Sequence, residues 1–211
     1  MSAGGQITGA RPQLGIQDSV NTAGRPGTYA DFNVPQRWSS TTRLYRDGVL
    51  VADKGSTIDK TFTDAGPASY ELTRSFTSQG VFPMGGEGTA TWKFSADGSA
   101  STEATPVRLL NATLDASLDD LNRARPGRLL DVTAQVTGAQ GRLHGVRAWV
   151  TADGGKTWTR TAALGGRGGR YHVIAPPSSL VSGGFLGLRL TVQDSAGGML
   201  DLTLPRAIPV H

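Results

Sequence analysis

The apolar residues of this chain recur with a period of two, in short runs that end in turn residues, and this limits its fold more than any other feature. Leu130, Val132, Ala134 and Val136 alternate with polar residues, and so do Val146, Ala148 and Val150. Tyr171 and Val173, then Leu188, Leu190 and Val192, then Leu200, Leu202 and Leu204 repeat the pattern. Successive side chains of a strand point to opposite faces, so each run has one buried face and one wet face. Short connections then imply antiparallel sheets packed face to face. The 29 glycines fall between the alternating runs, where turns need them, and do not signal disorder. Helical periodicity is nearly absent. The one candidate is residues 114–125, where Leu114, Leu118 and Leu121 are spaced four and three apart. Pro126-Gly127 ends it, which allows one or two turns at most.

The first half shows the same grammar. Residues 43–53 read as a hairpin in which Asp47-Gly48 supplies the two-residue turn and Tyr45 faces Leu50. Strands are expected at residues 68–77 and 89–94, with Trp92 and Phe94 on one face and Thr91 and Lys93 on the other. Between the halves, residues 96–105 read ADGSASTEAT, small and polar, unable to bury a core. The fold class expected is therefore all-β, two consecutive antiparallel immunoglobulin- or fibronectin-like sandwiches. Their boundaries are residues 1–97 and 105–211, with a linker at 98–104.

Composition removes several functions. There is no cysteine among the 211 residues, which excludes disulfides, thiolate metal sites and a cysteine nucleophile. His144, His172 and His211 have no metal-ligand spacing; His144 reads as a Gly-rich loop residue, and His172 points away from the core between Tyr171 and Val173. Asp119-Asp120 is an acidic pair without the loop of a calcium site. No nucleophile elbow or phosphate-binding loop occurs. No catalytic, cofactor-binding or metal-ligating residue is therefore expected. The net charge of +4 is scattered, and Arg167-Gly168-Gly169-Arg170 reads as a hairpin loop, not as a nucleic-acid segment, so no nucleic acid is expected as partner. No apolar stretch is long enough to span a membrane. Met1-Ser2-Ala3-Gly4-Gly5 is polar and carries no signal peptide, so the sequence is expected to begin inside a longer chain.

One local motif stands out. Residues 151–158, TADGGKTW, fit the Asp-box pattern Ser/Thr-x-Asp-x-Gly-x-Thr-Trp of sialidases and many secreted β domains. Asp153 is expected to accept backbone N–H bonds across the turn, Gly155 to let the chain reverse, and Trp158 to cover the hairpin. A single copy points to structure and not to a sugar-binding repeat.

The order of motifs resembles the C-terminal extension of secreted actinobacterial subtilisin-like serine peptidases. The residues that carry the resemblance are Leu44-Tyr45-Arg46-Asp47-Gly48-Val49-Leu50, Tyr70-Glu71-Leu72-Thr73 and Thr91-Trp92-Lys93-Phe94-Ser95. In the second half they are Leu114-Asp115, the TADGGKTW hairpin, the run from Leu188 to Gly197, and Arg206-Ala207. Ile208 departs from the tyrosine usual in that family, and Trp149 from a polar residue. His144-Gly145-Val146 is not the family's catalytic His-Gly-Thr, and Gly-Thr-Ser-Met does not occur. The resemblance therefore implies a non-catalytic accessory region of a secreted peptidase, extracellular, with the peptidase's own catalytic domain as intramolecular partner. It would support stability, substrate access or anchoring. The alternative is a carbohydrate- or cell-surface-binding module that touches a protein or polysaccharide. The four tryptophans test it. Trp92 and Trp158 look buried by pattern, and Trp38 follows Pro35 and could be exposed. Trp149 lies between the inward-facing Ala148 and Val150, so it and Arg147 face outward, with Thr151 on the same side. Trp149, Arg147 and Trp38 are the candidate contact residues.

Overall fold

The computed structural model describes residues 5–8, 38–54, 58–62, 66–78, 87–97 and 107–211. These residues form strands, turns and two short 3-10 turns. The first half contributes β1 (Gly5–Thr8), β2 (Trp38–Arg46), β3 (Val49–Lys54), β4 (Asp59–Phe62), β5 (Ala68–Ser78) and β6 (Glu87–Ala96). The second opens with β7 (Asn111–Ala116), β8 (Leu130–Thr137), β9 (Leu143–Thr151) and β10 (Thr159–Thr161). It continues with β11 (Ala163–Gly165), β12 (Arg170–Ala175), β13 (Phe185–Asp194) and β14 (Met199–Pro209). All the strand ladders are antiparallel. The fold is an all-β, sandwich-like arrangement, as the alternation requires. No helix among the described residues is long and apolar enough to cross a membrane.

One sheet has eight strands in the order β10-β9-β13-β14-β6-β5-β2-β3, the other four in the order β11-β12-β8-β7; β1 and β4 form a separate ribbon. The alternating residues share one face along the whole long sheet. Leu44, Leu72, Trp92 and Leu200 lie opposite one another across β2, β5, β6 and β14. Beyond β14, Leu200 faces Val192, Leu202 faces Leu190, and Leu204 faces Leu188, with Ala148 and Val150 next in line. The short sheet covers the far part of this face: Leu114, Val132 and Val173 meet Leu188, Leu190 and Leu202. Over the near part, Tyr70 stacks on Phe94 with centroids 5.4 Å apart, and Phe62 of the ribbon meets Tyr70 edge-on at 5.9 Å.

The strand pairing crosses the boundary expected between residues 1–97 and 105–211. β14 of the second half pairs with β6 of the first, from Met199 opposite Lys93 to Thr203 opposite Thr89. The long sheet therefore does not break between the two halves. The expected linker, 98–104, lies outside the described residues. Alternation assigns faces to strands but not neighbours, which is why two separate sandwiches looked complete from sequence.

Smaller expectations divide the same way. The Asp47-Gly48 turn has φ of 49° and 80°, and Tyr45 does lie opposite Leu50. Trp92 and Phe94 are buried together. Residues 114–125 are not helical. Leu114 belongs to β7 and faces Ala134, and the chain then turns at Asp119, whose carboxylate accepts the N–H groups of Leu121 and Arg123. Those bonds, led by the one from Arg123, hold the Asp119 carboxyl below its ordinary value. His144 is not in a loop: it is an exposed residue of β9, and Gly145, with φ of 64°, marks a register shift against β13.

Candidate contact surface

The outer face of the long sheet is built from the residues that alternate with the core. Pairing sets them in straight rows across the strands. One row runs Arg43, Thr73, Thr91, Asp201, Thr191, Arg147 from β2 to β9. Its neighbour runs Thr41, Ser75, Thr89, Thr203, Arg189, Trp149 and ends at Arg160 on β10. Hydroxyls meet across the strands: Thr73 with Thr91 and Ser75 with Thr89, each at 3.2 Å. Cross-strand ion pairs join Arg43 to Asp53 at 3.1 Å and Lys93 to Glu71 at 3.1 Å. Exposed pairs of this kind add little stability. Their effect is to keep the face polar.

Trp149 stands on this face, half-buried, between buried Ala148 and Val150. Arg189 of β13 is its cross-strand partner, with the guanidinium 5.3 Å from the indole centroid. Arg189 is itself held by Asp201 of β14, donating from Nε at 3.1 Å and from a terminal nitrogen at 2.7 Å. The fork-on-carboxylate bond with Asp201 raises the Arg189 pKa. A carboxylate thus fixes a guanidinium, and the guanidinium fixes an indole. Arg147 and Arg160 are exposed on either side. Acrylamide quenching of single-tryptophan variants should find Trp149 quenched more readily than Trp92, which is 2% exposed; equal protection would put the indole under a partner.

The sequence-selected residues do not all gather here. Trp149 and Arg147 lie together. Trp38 opens β2 opposite Ser78, and its side chain lies outside the described residues. Thr151 has the outward register but is buried, 3% exposed, beneath the hairpin that follows. Arg160, Arg189 and Asp201 were not singled out in the sequence. Their only signal was a charge between apolar or threonine neighbours, in TRT, LRL and LDL, and only strand order brings them to Trp149.

The hairpin at residues 151–158 is a second, structural constellation. The Thr151 hydroxyl donates to Asp153 Oδ1 at 2.6 Å and accepts the N–H of Gly155 at 3.1 Å. Asp153 also accepts the Thr157 N–H at 3.0 Å and, through Oδ2, the Thr157 hydroxyl at 2.6 Å. Gly154 and Gly155 have φ of 72° and 90°, where a side chain would strain the turn. The Trp158 ring lies beside Gly155, 3.5 Å from where a Cβ would stand, and is half-buried, less covered than its pattern suggested. The hydroxyls of Thr151 and Thr157, in that order, hold the Asp153 carboxyl far below its ordinary value. A carboxylate with a depressed pKa stabilises the fold at all pH values above its unfolded pKa, and the contribution is lost as pH falls through the folded one. Asp153→Ala is therefore expected to lower the melting temperature at neutral pH, with the gap closing only well below pH 4. An unchanged melting temperature would show that the hairpin does not rely on the carboxylate.

Asp131 receives His172 Nδ1 at 3.0 Å on the exposed side of the short sheet. Among the described residues no group of three His, Cys, Asp or Glu side chains could hold a metal ion. No family model, curated protein or solved structure matches the chain.

Proposed function

We infer that this chain is a non-catalytic accessory region of a secreted subtilisin-like serine peptidase, acting by contact through the outer face of its long sheet. The observation that carries the reading is the order of motifs from Leu44 to Ala207. The geometry supports it by giving those motifs a scaffold's work. The Tyr45–Leu50 pair closes a hairpin, Trp92 anchors the core, and Asp153 ties a turn. What is left facing water is the polar outer face of the long sheet, and this is the surface open to contact.

A second reading, a carbohydrate- or cell-surface-binding module, is favoured by one observation: a half-exposed indole in contact with the Arg189 guanidinium on the solvent side of β9. A fluorophosphonate probe separates both readings from a hydrolase. It should leave every serine of this chain unlabelled, and labelling lost on unfolding would overturn them. Fused behind a subtilisin-like catalytic domain, the chain should raise its melting temperature or change KM for a protein substrate, with turnover of a short peptide unaltered. No change in either quantity would remove the accessory reading.

A further inference from the structure

The outer face carries a basic patch that its own ion pairs leave uncompensated. Arg160 and Arg189 both lie opposite Trp149, one on each neighbouring strand, and Arg147 is on the same face two residues before it. Directly opposed side chains have their Cβ atoms about 5 Å apart, and residues two apart along a strand are separated by about 7 Å. Asp201 neutralises Arg189. The Arg147 and Arg160 side chains are exposed and have no polar partner among the described residues. Like charges held this close repel each other, and an anion between them would relieve the repulsion.

We propose that this patch binds an acidic polysaccharide, with uronate carboxylates on Arg147 and Arg160 and a sugar ring against the exposed part of the Trp149 indole. The proposal rests on the second reading above and names its ligand. Guanidinium forks match carboxylates in geometry. The Asp201–Arg189 pair fixes the indole before any ligand arrives, which lowers the entropy cost of binding. Beyond Arg189 the row continues through the hydroxyls of Thr203, Thr89 and Ser75, which suit the next sugars of a polymer. A protein partner fits less well, because interface centres are rich in aromatic and apolar side chains and poor in Ser and Asp. Single-stranded nucleic acid would need successive stacking platforms, and one indole stands here.

The test is titration of the whole chain with polygalacturonate oligomers at low salt, read by calorimetry and by Trp149 fluorescence. Binding should weaken with salt, and dextran should not bind. The R147Q/R160Q double variant should lose about tenfold or more in affinity. R125Q/R128Q removes two exposed arginines that lie outside the rows of the outer face and should bind like the wild type. W149A should abolish the fluorescence response and weaken binding further. Equal losses in both double variants would mean diffuse attraction to a basic protein and overturn the site. Tighter binding of single-stranded DNA, lost in R147Q/R160Q, would overturn it in favour of nucleic acid. Trp149-dependent binding of dextran but not of polygalacturonate would overturn the acidic ligand and leave the carbohydrate reading standing. No binding of either sugar would sink the proposal together with that reading and leave the accessory role untouched.

Discussion

Trp92→Ala is expected to destabilise both halves of the chain together. Trp92 is 2% exposed and lies on β6, between β5 and β14, so its indole fills the core where the two halves share a sheet. Its Nε1–H donates to the Leu110 carbonyl at 2.7 Å, which ties the long sheet to the segment entering β7. Truncating a buried tryptophan costs about 3–5 kcal/mol in lost packing and cavity. The orphaned Leu110 carbonyl adds about 1 kcal/mol or more. Trp92→Phe keeps most of the ring and loses the donor, so it should cost about 1–2 kcal/mol. Urea unfolding followed by far-ultraviolet circular dichroism and by the fluorescence of Trp149 and Trp158 should give one shifted transition. Two transitions, of which only one moves, would show that the halves unfold separately despite the β6–β14 ladder.

Asp194→Ala is expected to cost about 2–4 kcal/mol, a large effect for a residue in a turn. Asp194 is 4% exposed at the end of β13. Its Oδ1 accepts the N–H groups of Ala196 at 3.0 Å and Gly198 at 2.8 Å, and so shapes the turn into β14. Its Oδ2 accepts the N–H of Gln140 at 2.9 Å, from the loop between β8 and β9. That loop is clipped a second time, where Ser195 donates its N–H to the Arg142 carbonyl and accepts the Arg142 N–H on Oγ. Alanine would leave three backbone donors without their acceptor. Asp194→Asn keeps one carbonyl-type oxygen for the turn but presents an NH₂ to Gln140, so its cost should fall between those of wild type and alanine. Calorimetric melting of the three proteins checks the order. Asn as damaging as Ala would place the whole effect in the charge.

Much of this was legible in the chain because a strand's faces follow from alternation alone. Leu188, Leu190 and Val192, and the outward Trp149, needed no knowledge of neighbours. The hairpins were legible for a related reason: Asp47-Gly48 and Asp153-Gly154-Gly155 are local, and short turns specify their own pairing. What could not be read was strand order. Nothing in the spacing of Leu200, Leu202 and Leu204 says that β14 lies between β13 and β6. The same gap hid the contact surface, since Arg189, Asp201 and Arg160 are distant in sequence from Trp149 and meet it only through pairing. The spacing of Leu114, Leu118 and Leu121 imitated a helix because a strand and a turn met there. The turn is made by Asp119, whose carboxylate accepts the N–H groups of Leu121 and Arg123.

The position of β14 has a consequence for how the chain acquires its fold as it is made. The hydrogen-bonding edge of β6 is completed by a strand roughly a hundred residues further along. During synthesis β2, β3, β5 and β6 can assemble as a four-stranded sheet in the order β3-β2-β5-β6, but the β6 edge stays open until β14 has left the ribosome. Nascent chains stalled before Met199 should therefore be captured by edge-binding chaperones and cut by proteases within the first half, and release of β14 should end both. Full protection of these four strands before β14 emerges would mean that something else caps the β6 edge first.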